Sequence, residues 1–123
     1  MKQFLLVFLG GGIGSVLRYA LGKTFNTTFN SFFLGTFLAN SIGCLLIGLI
    51  LGLSYKGNYL SQNQILLLAT GFCGGFTTFS TFAFENHSLL KSGDIFHFAL
   101  YTIISIVVGI LAVSLGLWLA KAL

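Results

Sequence analysis

Four stretches of this chain alternate with short polar groups, and each stretch is long and apolar enough to cross a bilayer as a helix. The first runs from Phe4 to about Gly22, apolar as far as Leu17 and then carrying Arg18. The second, Phe32 to Leu53, has no charge in 22 residues. At about 1.5 Å per residue it reaches roughly 33 Å, enough for the hydrocarbon core. The third, Gln64 to Phe84, is also uncharged, but Thr70, Gly71, Gly74, Gly75, Thr77, Thr78, Ser80 and Thr81 interrupt its apolar run. The fourth, Ile95 to Leu119, is rich in β-branched residues, and Trp118 near its end fits an interfacial aromatic belt. Lys23 to Ser31, Ser54 to Asn63 and Glu85 to Asp94 read as turns at the headgroups. The pattern predicts an all-α membrane protein, one domain over residues 1–123, with helices at about 4–22, 32–53, 64–84 and 95–119. The N-terminal apolar run is read as a span rather than a cleaved signal, because three more apolar segments follow it.

Composition makes lipid the solvent. Of 123 residues, 56% are hydrophobic and 7% charged, whereas a soluble domain carries about 25% charged residues. Disordered chains are poor in apolar residues, so disorder is excluded as well. The formal charge of +4 comes from scattered single residues, which leaves no basic patch for nucleic acid. Charge also fails to orient the chain. Four crossings put Lys2, Lys56 and Lys121 on the side of the termini and Arg18, Lys23 and Lys91 on the other, so the positive-inside bias has nothing to act on. Two explanations stand: the chain inserts both ways up, so that opposed copies pair about a twofold axis in the membrane plane, or six charges are too few to tally. Gly10 and Gly14, Gly48 and Gly52, and Gly71 and Gly75 are spaced for close helix contacts. Cys44 and Cys73 fall inside spans and read as small buried hydrophobes, without the spacing of a metal site.

Polar residues within the spans carry the candidate chemistry. On the second span Thr36, Asn40, Cys44, Gly48 and Gly52 recur at i, i+4 and share one helix face. Asn40 needs either another helix or a water-filled path to satisfy its amide. On the fourth, Tyr101, Ser105 and Gly109 repeat that spacing, although a membrane Ser ordinarily bonds its own i−4 carbonyl and Tyr101 could belong to a belt. The densest signal is Gly71-Phe72-Cys73-Gly74-Gly75-Phe76-Thr77-Thr78-Phe79-Ser80-Thr81-Phe82. Paired glycines followed by two threonines predict a helix broken near mid-membrane, which survives only where it is buried in protein or lines a cavity. Carbonyls freed there would form a hard-oxygen cage suited to Na⁺.

Past such a break, a step of about 100° per residue sets Phe76, Phe79 and Phe82 on one face and Thr77, Ser80 and Thr81 roughly opposite. Hydroxyls donate to a passing anion and aromatic ring edges attract one; a plain packing stripe is the alternative. No Asp or Glu is expected inside a span, since Glu85 closes the third and Asp94 opens the approach to the fourth. A proton-coupled exporter of cations then lacks its membrane carboxylate, and no nucleophile–base–orienter set supports an enzyme. His87 and His97 fall at or near interfaces. Arg18 is expected to snorkel to the headgroups.

These motifs together resemble the Fluc fluoride channels, also called CrcB. The resemblance spans essentially the whole chain: Gly11-Gly12-Ile13-Gly14-Ser15-Val16-Leu17-Arg18-Tyr19, then Leu38-Ala39-Asn40-Ser41-Ile42-Gly43, then Gly71 to Phe82. It implies a passive, fluoride-selective channel of the bacterial inner membrane, assembled as a dual-topology antiparallel homodimer with two pores. By the same resemblance, Gly74 and Thr77 offer backbone carbonyls to a central structural Na⁺. Phe79 and Phe82 line the fluoride path, Asn40 contacts the ion, and Tyr101 and Ser105 lie along the way. Ser80 and Thr81 match a hydroxyl track, Glu85 an acidic position near the pore end, and Arg18 a vestibule or structural position. Gly109 stands where a further hydroxyl is expected, a departure from the family pattern. Rival expectations are a small-multidrug-type proton-coupled antiporter and a non-transporting assembly subunit that binds other helices through its glycine faces.

Overall fold

The computed structural model describes residues 1–123. Helix α1 covers Lys2–Phe25 and α2 covers Leu34–Tyr55. Helix α3, residues 62–76, begins as an α-helical turn at Gln62–Ile65, widens to a π-helix over Leu66–Cys73 and ends with Gly74–Phe76. Helix α4 covers Ser80–Lys91 and α5 covers Ile95–Ala122. There is no strand, and four spans are long and apolar enough to cross a membrane: α1, α2, the α3–α4 stretch Gln62–Lys91, and α5.

Local chemistry fixes the ends. Ser61 and Gln64 form a reciprocal cap, Ser61 Oγ accepting from Gln64 N at 3.2 Å and Gln64 Oε1 from Ser61 N at 2.8 Å, which starts α3 at Gln62, two residues before the expected Gln64. At the other end Gly93 adopts φ 81°, a turn that side chains disfavour, and Asp94 caps α5 by accepting from His97 N at 3.2 Å. The last connection is therefore much shorter than expected. Residues 85–91 are helical, so Glu85 lies inside the third span, correcting the expectation of spans without a carboxylate.

Small residues decide which helices meet. Gly10 and Gly14 of α1 face Gly71 and Gly75 of α3 so closely that a Cβ on Gly10 would lie 2.8 Å from Phe72 N, and one on Gly14 2.7 Å from Phe76 N. On the other side Gly48 and Gly52 of α2 meet Gly116 and Ala120 of α5. The two principal pairings are thus α1 with α3 and α2 with α5. Outward faces carry large apolar side chains such as Phe4, Phe8, Ile103 and Ile110, as a lipid-facing surface requires.

The third span bends between α3 and α4, where Thr77 is extended at φ −89° and ψ 156°. Gly74 and Gly75, expected to interrupt the helix, remain helical. Gly75 instead allows close approach to α1, with the Cα of Gly11 2.9 Å from where a Cβ would stand.

Candidate functional site

Side chains from α1 and α2 take over backbone groups at the bend. Asn40 Nδ2 donates to the Thr78 carbonyl at 3.1 Å, and Thr78 N donates to Asn40 Oδ1 at 2.7 Å. Thr78 Oγ1 accepts from Thr81 N at 3.1 Å, and Thr77 Oγ1 donates back to the Cys73 carbonyl at 2.8 Å. The Gly75 carbonyl receives Arg18 Nε at 2.9 Å and Ser15 Oγ at 3.4 Å. Arg18, half-exposed, thus ties α1 to the α3 backbone through its Nε. The carbonyls of Gly74 and Thr77 receive no hydrogen bond within the chain. Two hard oxygens at the bend are left for a cation or another molecule.

A cavity of about 490 Å³ opens beside these carbonyls. It brings together Asn40, Gly74, Thr77, Phe79, Phe82 and Ser105, with Cys44 and Cys73 also on its wall. The Phe79 and Phe82 rings stand 6.3 Å apart with planes at 49°, and Phe79 is 78% exposed on the single chain. Phe76 does not join them. It is buried against Phe72, with ring centroids 5.4 Å apart at 16°, because extended Thr77 carries the following rings off its line. Ser88 and Ser114 bond their own i−4 carbonyls at 3.0 Å, but Ser105 Oγ is buried with no partner and keeps its donor at the cavity wall.

The hydroxyl side borders a second cavity, about 420 Å³, where Thr78 and Thr81 meet Arg18, Lys23, Asn26 and Thr36. Thr78 borders both cavities. Ser80 is exposed beside it, its Oγ 3.5 Å from Thr78 Oγ1.

Behind this wall Glu85 is buried. Its Oε2 accepts from Thr36 Oγ1 at 2.7 Å and Asn26 Nδ2 at 3.4 Å, and its Oε1 from Tyr101 OH at 2.8 Å. Tyr101 is fully buried, so it is no belt residue; it lines neither cavity and joins α5 to Glu85. Sequence reasoning missed Asn26, which also accepts from Thr36 N at 3.0 Å. Its only signal was an Asn just past a helix end, a common turn residue. The Asn86–Thr102 hydrogen bond of 2.9 Å between α4 and α5 was missed too.

The family model for "CrcB-like protein, Camphor Resistance (CrcB)" matches residues 5–117. The chain belongs to the CrcB family. It is similar to CrcB relatives named "Fluoride-specific ion channel FluC". The one from Gloeothece citriformis is 49% identical over 122 residues, covering 98% of each chain. The one from Phocaeicola vulgatus is 48% identical over 122 residues, covering 98% of this chain and 100% of the relative. The one from Flavobacterium psychrophilum is 45% identical over 124 residues and covers all of both. These CrcB relatives are, by name, ion channels and not enzymes.

Proposed function

We propose that this chain is a passive, fluoride-selective channel that lets F⁻ leave the bacterial cell across the inner membrane and so lowers cytoplasmic fluoride. The observation that carries the reading is the cavity at the bend, where Asn40, the Phe79 and Phe82 rings and the unpartnered Ser105 hydroxyl meet. The full-length likeness to relatives named for fluoride supplies the ion.

Fluoride is small and strongly hydrated, so a pore must replace its water with donors that are good enough to admit it and shared enough to release it. Ser105 Oγ is free to donate, and the amide of Asn40 lies within the same cavity. Hydrogen bonds to a charged partner contribute about 1.5–3 kcal/mol each, and several in series do not trap the ion as one buried cation would. The edges of Phe79 and Phe82 present positive potential to an anion, while their faces repel it. On the far wall Thr81, with Ser80 beside it, offers hydroxyls next to Arg18 and Lys23.

The working unit in this proposal is a dual-topology antiparallel homodimer with two pores. Thr70, Gly74, Phe79 and Ser80 are exposed on the single chain within the third span, where lipid is a poor partner for hydroxyls and free carbonyls. A second copy about a twofold axis would cover them. The bend is then the mid-membrane break. Gly74 and Thr77, duplicated by symmetry, would hold a central Na⁺ through carbonyls that have no other partner. Such an ion would supply a fixed positive charge that ties the two bends together.

Proteoliposomes containing only this protein should release fluoride and retain chloride. Equal flux of both ions, or none, would remove the reading. Buried Glu85 favours one rival, a proton-coupled antiporter, since it supplies the carboxylate which that chemistry needs. Fluoride efflux that is unchanged when the pH gradient is collapsed excludes it.

A further inference from the structure

We infer that Cys44 and Cys73 form a soft-metal site, two thiols on facing helices placed to bridge one linear, two-coordinate d¹⁰ cation such as Hg²⁺ across the cavity at the bend. Both cysteines are free and both border that cavity. Their levels match. Asn40 is bonded to Thr78, and a Cβ on neighbouring Gly43 would run into the Thr77 methyl, so α2 and α3 are in register there. One turn onward from Asn40 reaches Cys44, and one turn back from Thr77 reaches Cys73. On antiparallel helices these steps of about 6 Å run in the same direction.

The rest of the wall selects the metal. No His, Asp, Glu, Lys or Arg lines this cavity, so a divalent cation that demands carboxylate or imidazole ligands finds no set there. A linear bis-thiolate needs only two sulfurs. Two S–H bonds and the two Hg–Cl bonds of mercuric chloride break, two Hg–S bonds form, two protons and two chlorides pass to water, and no oxidation state changes. With a divalent ion the product is neutral, which an apolar cavity tolerates far better than a net charge. The hard carbonyls of Gly74 and Thr77 are the wrong chemistry for this ion. Asn40, Phe79 and Ser105 share the wall, so an occupied site obstructs the fluoride path. That consequence rests on the channel reading, whereas the site itself does not.

The full chain in detergent is titrated with mercuric chloride, reading bound metal per chain and the thiolate-to-metal absorption band. One mercury per chain is expected. Cys44→Ser and Cys73→Ala should each weaken binding at least about tenfold by removing the second ligand. Methylmercury, with one open position, should bind each thiol separately, two per chain. Two mercuric ions per chain, or unchanged affinity in either variant, would overturn the bridge. In proteoliposomes mercuric chloride should stop fluoride efflux from the native protein but not from the double variant. Efflux that persists with one mercury bound removes the obstruction. Untreated liposomes that pass no fluoride remove the channel reading, and the metal titration still decides the site.

Discussion

Asn40 does the work of a missing stretch of helix. Its amide pairs with both the N–H and the carbonyl of Thr78, the groups that extended Thr77 strips of helical partners. Asn40→Ala should leave both groups unpaired, cost about 1–3 kcal/mol of stability, and abolish fluoride flux; thermal unfolding in detergent and liposome efflux read the two effects separately. Phe79→Ile and Phe82→Ile keep apolar bulk but lose the ring edge. Each should cut efflux strongly while the assembly still migrates as a dimer, and unchanged efflux in both would dismiss the ring edges. Outside the spans, hydrogen bonds from the His97 ring and backbone N–H hold the Asp94 carboxyl below the usual carboxylate range. A depressed folded value means that this stabilisation is complete above about pH 4 and is lost as the pH falls through the folded value. The stability gap between native protein and Asp94→Asn should therefore be constant at neutral pH and narrow on acidification, as measured by unfolding across a pH series.

Among the elements, contact between helices rests on what side chains leave out. A methyl at Gly10 would meet Phe72 N at 2.8 Å, whereas one at Gly12 meets nothing within 4 Å. Gly10→Ala should destabilise by about 1–3 kcal/mol through overpacking, and Gly12→Ala should be neutral or slightly stabilising by helix propensity; equal effects would remove the close-approach account of the α1–α3 seam. These seams and the four spans were legible in the sequence, because apolar length and small-residue spacing are local properties. The position of the bend was not. Gly74 and Gly75 have low helix propensity, but their missing side chains serve packing, and the backbone departs at Thr77, where Asn40, 38 residues before Thr78, holds the chain. Glu85 was misplaced for a related reason. An acid is tolerated in a span only with partners, and Asn26, Thr36 and Tyr101 come from three other parts of the chain. The ring stripe failed at Phe76, since one extended residue cancels a helical phase. Asn40, Phe79, Phe82 and Ser105 nevertheless converge on one cavity.

For the whole molecule, the proposed pairing of opposed copies rests on the balanced charge count and the exposed polar groups of the third span. A tag at the C-terminus should be reachable from both sides of the membrane in cells, and adding two lysines beside Lys121 should place it on one side and reduce efflux; a tag confined to one face from the outset would exclude dual insertion. The pairing of helices bears on biogenesis. The principal partners are the first span with the third and the second with the fourth, so neither pair is adjacent along the chain. Lateral neighbours must wait for one another during synthesis. A translocon that had released only the first two helices would leave two glycine grooves facing acyl chains, and the fold would lock only after the final helix left the ribosome.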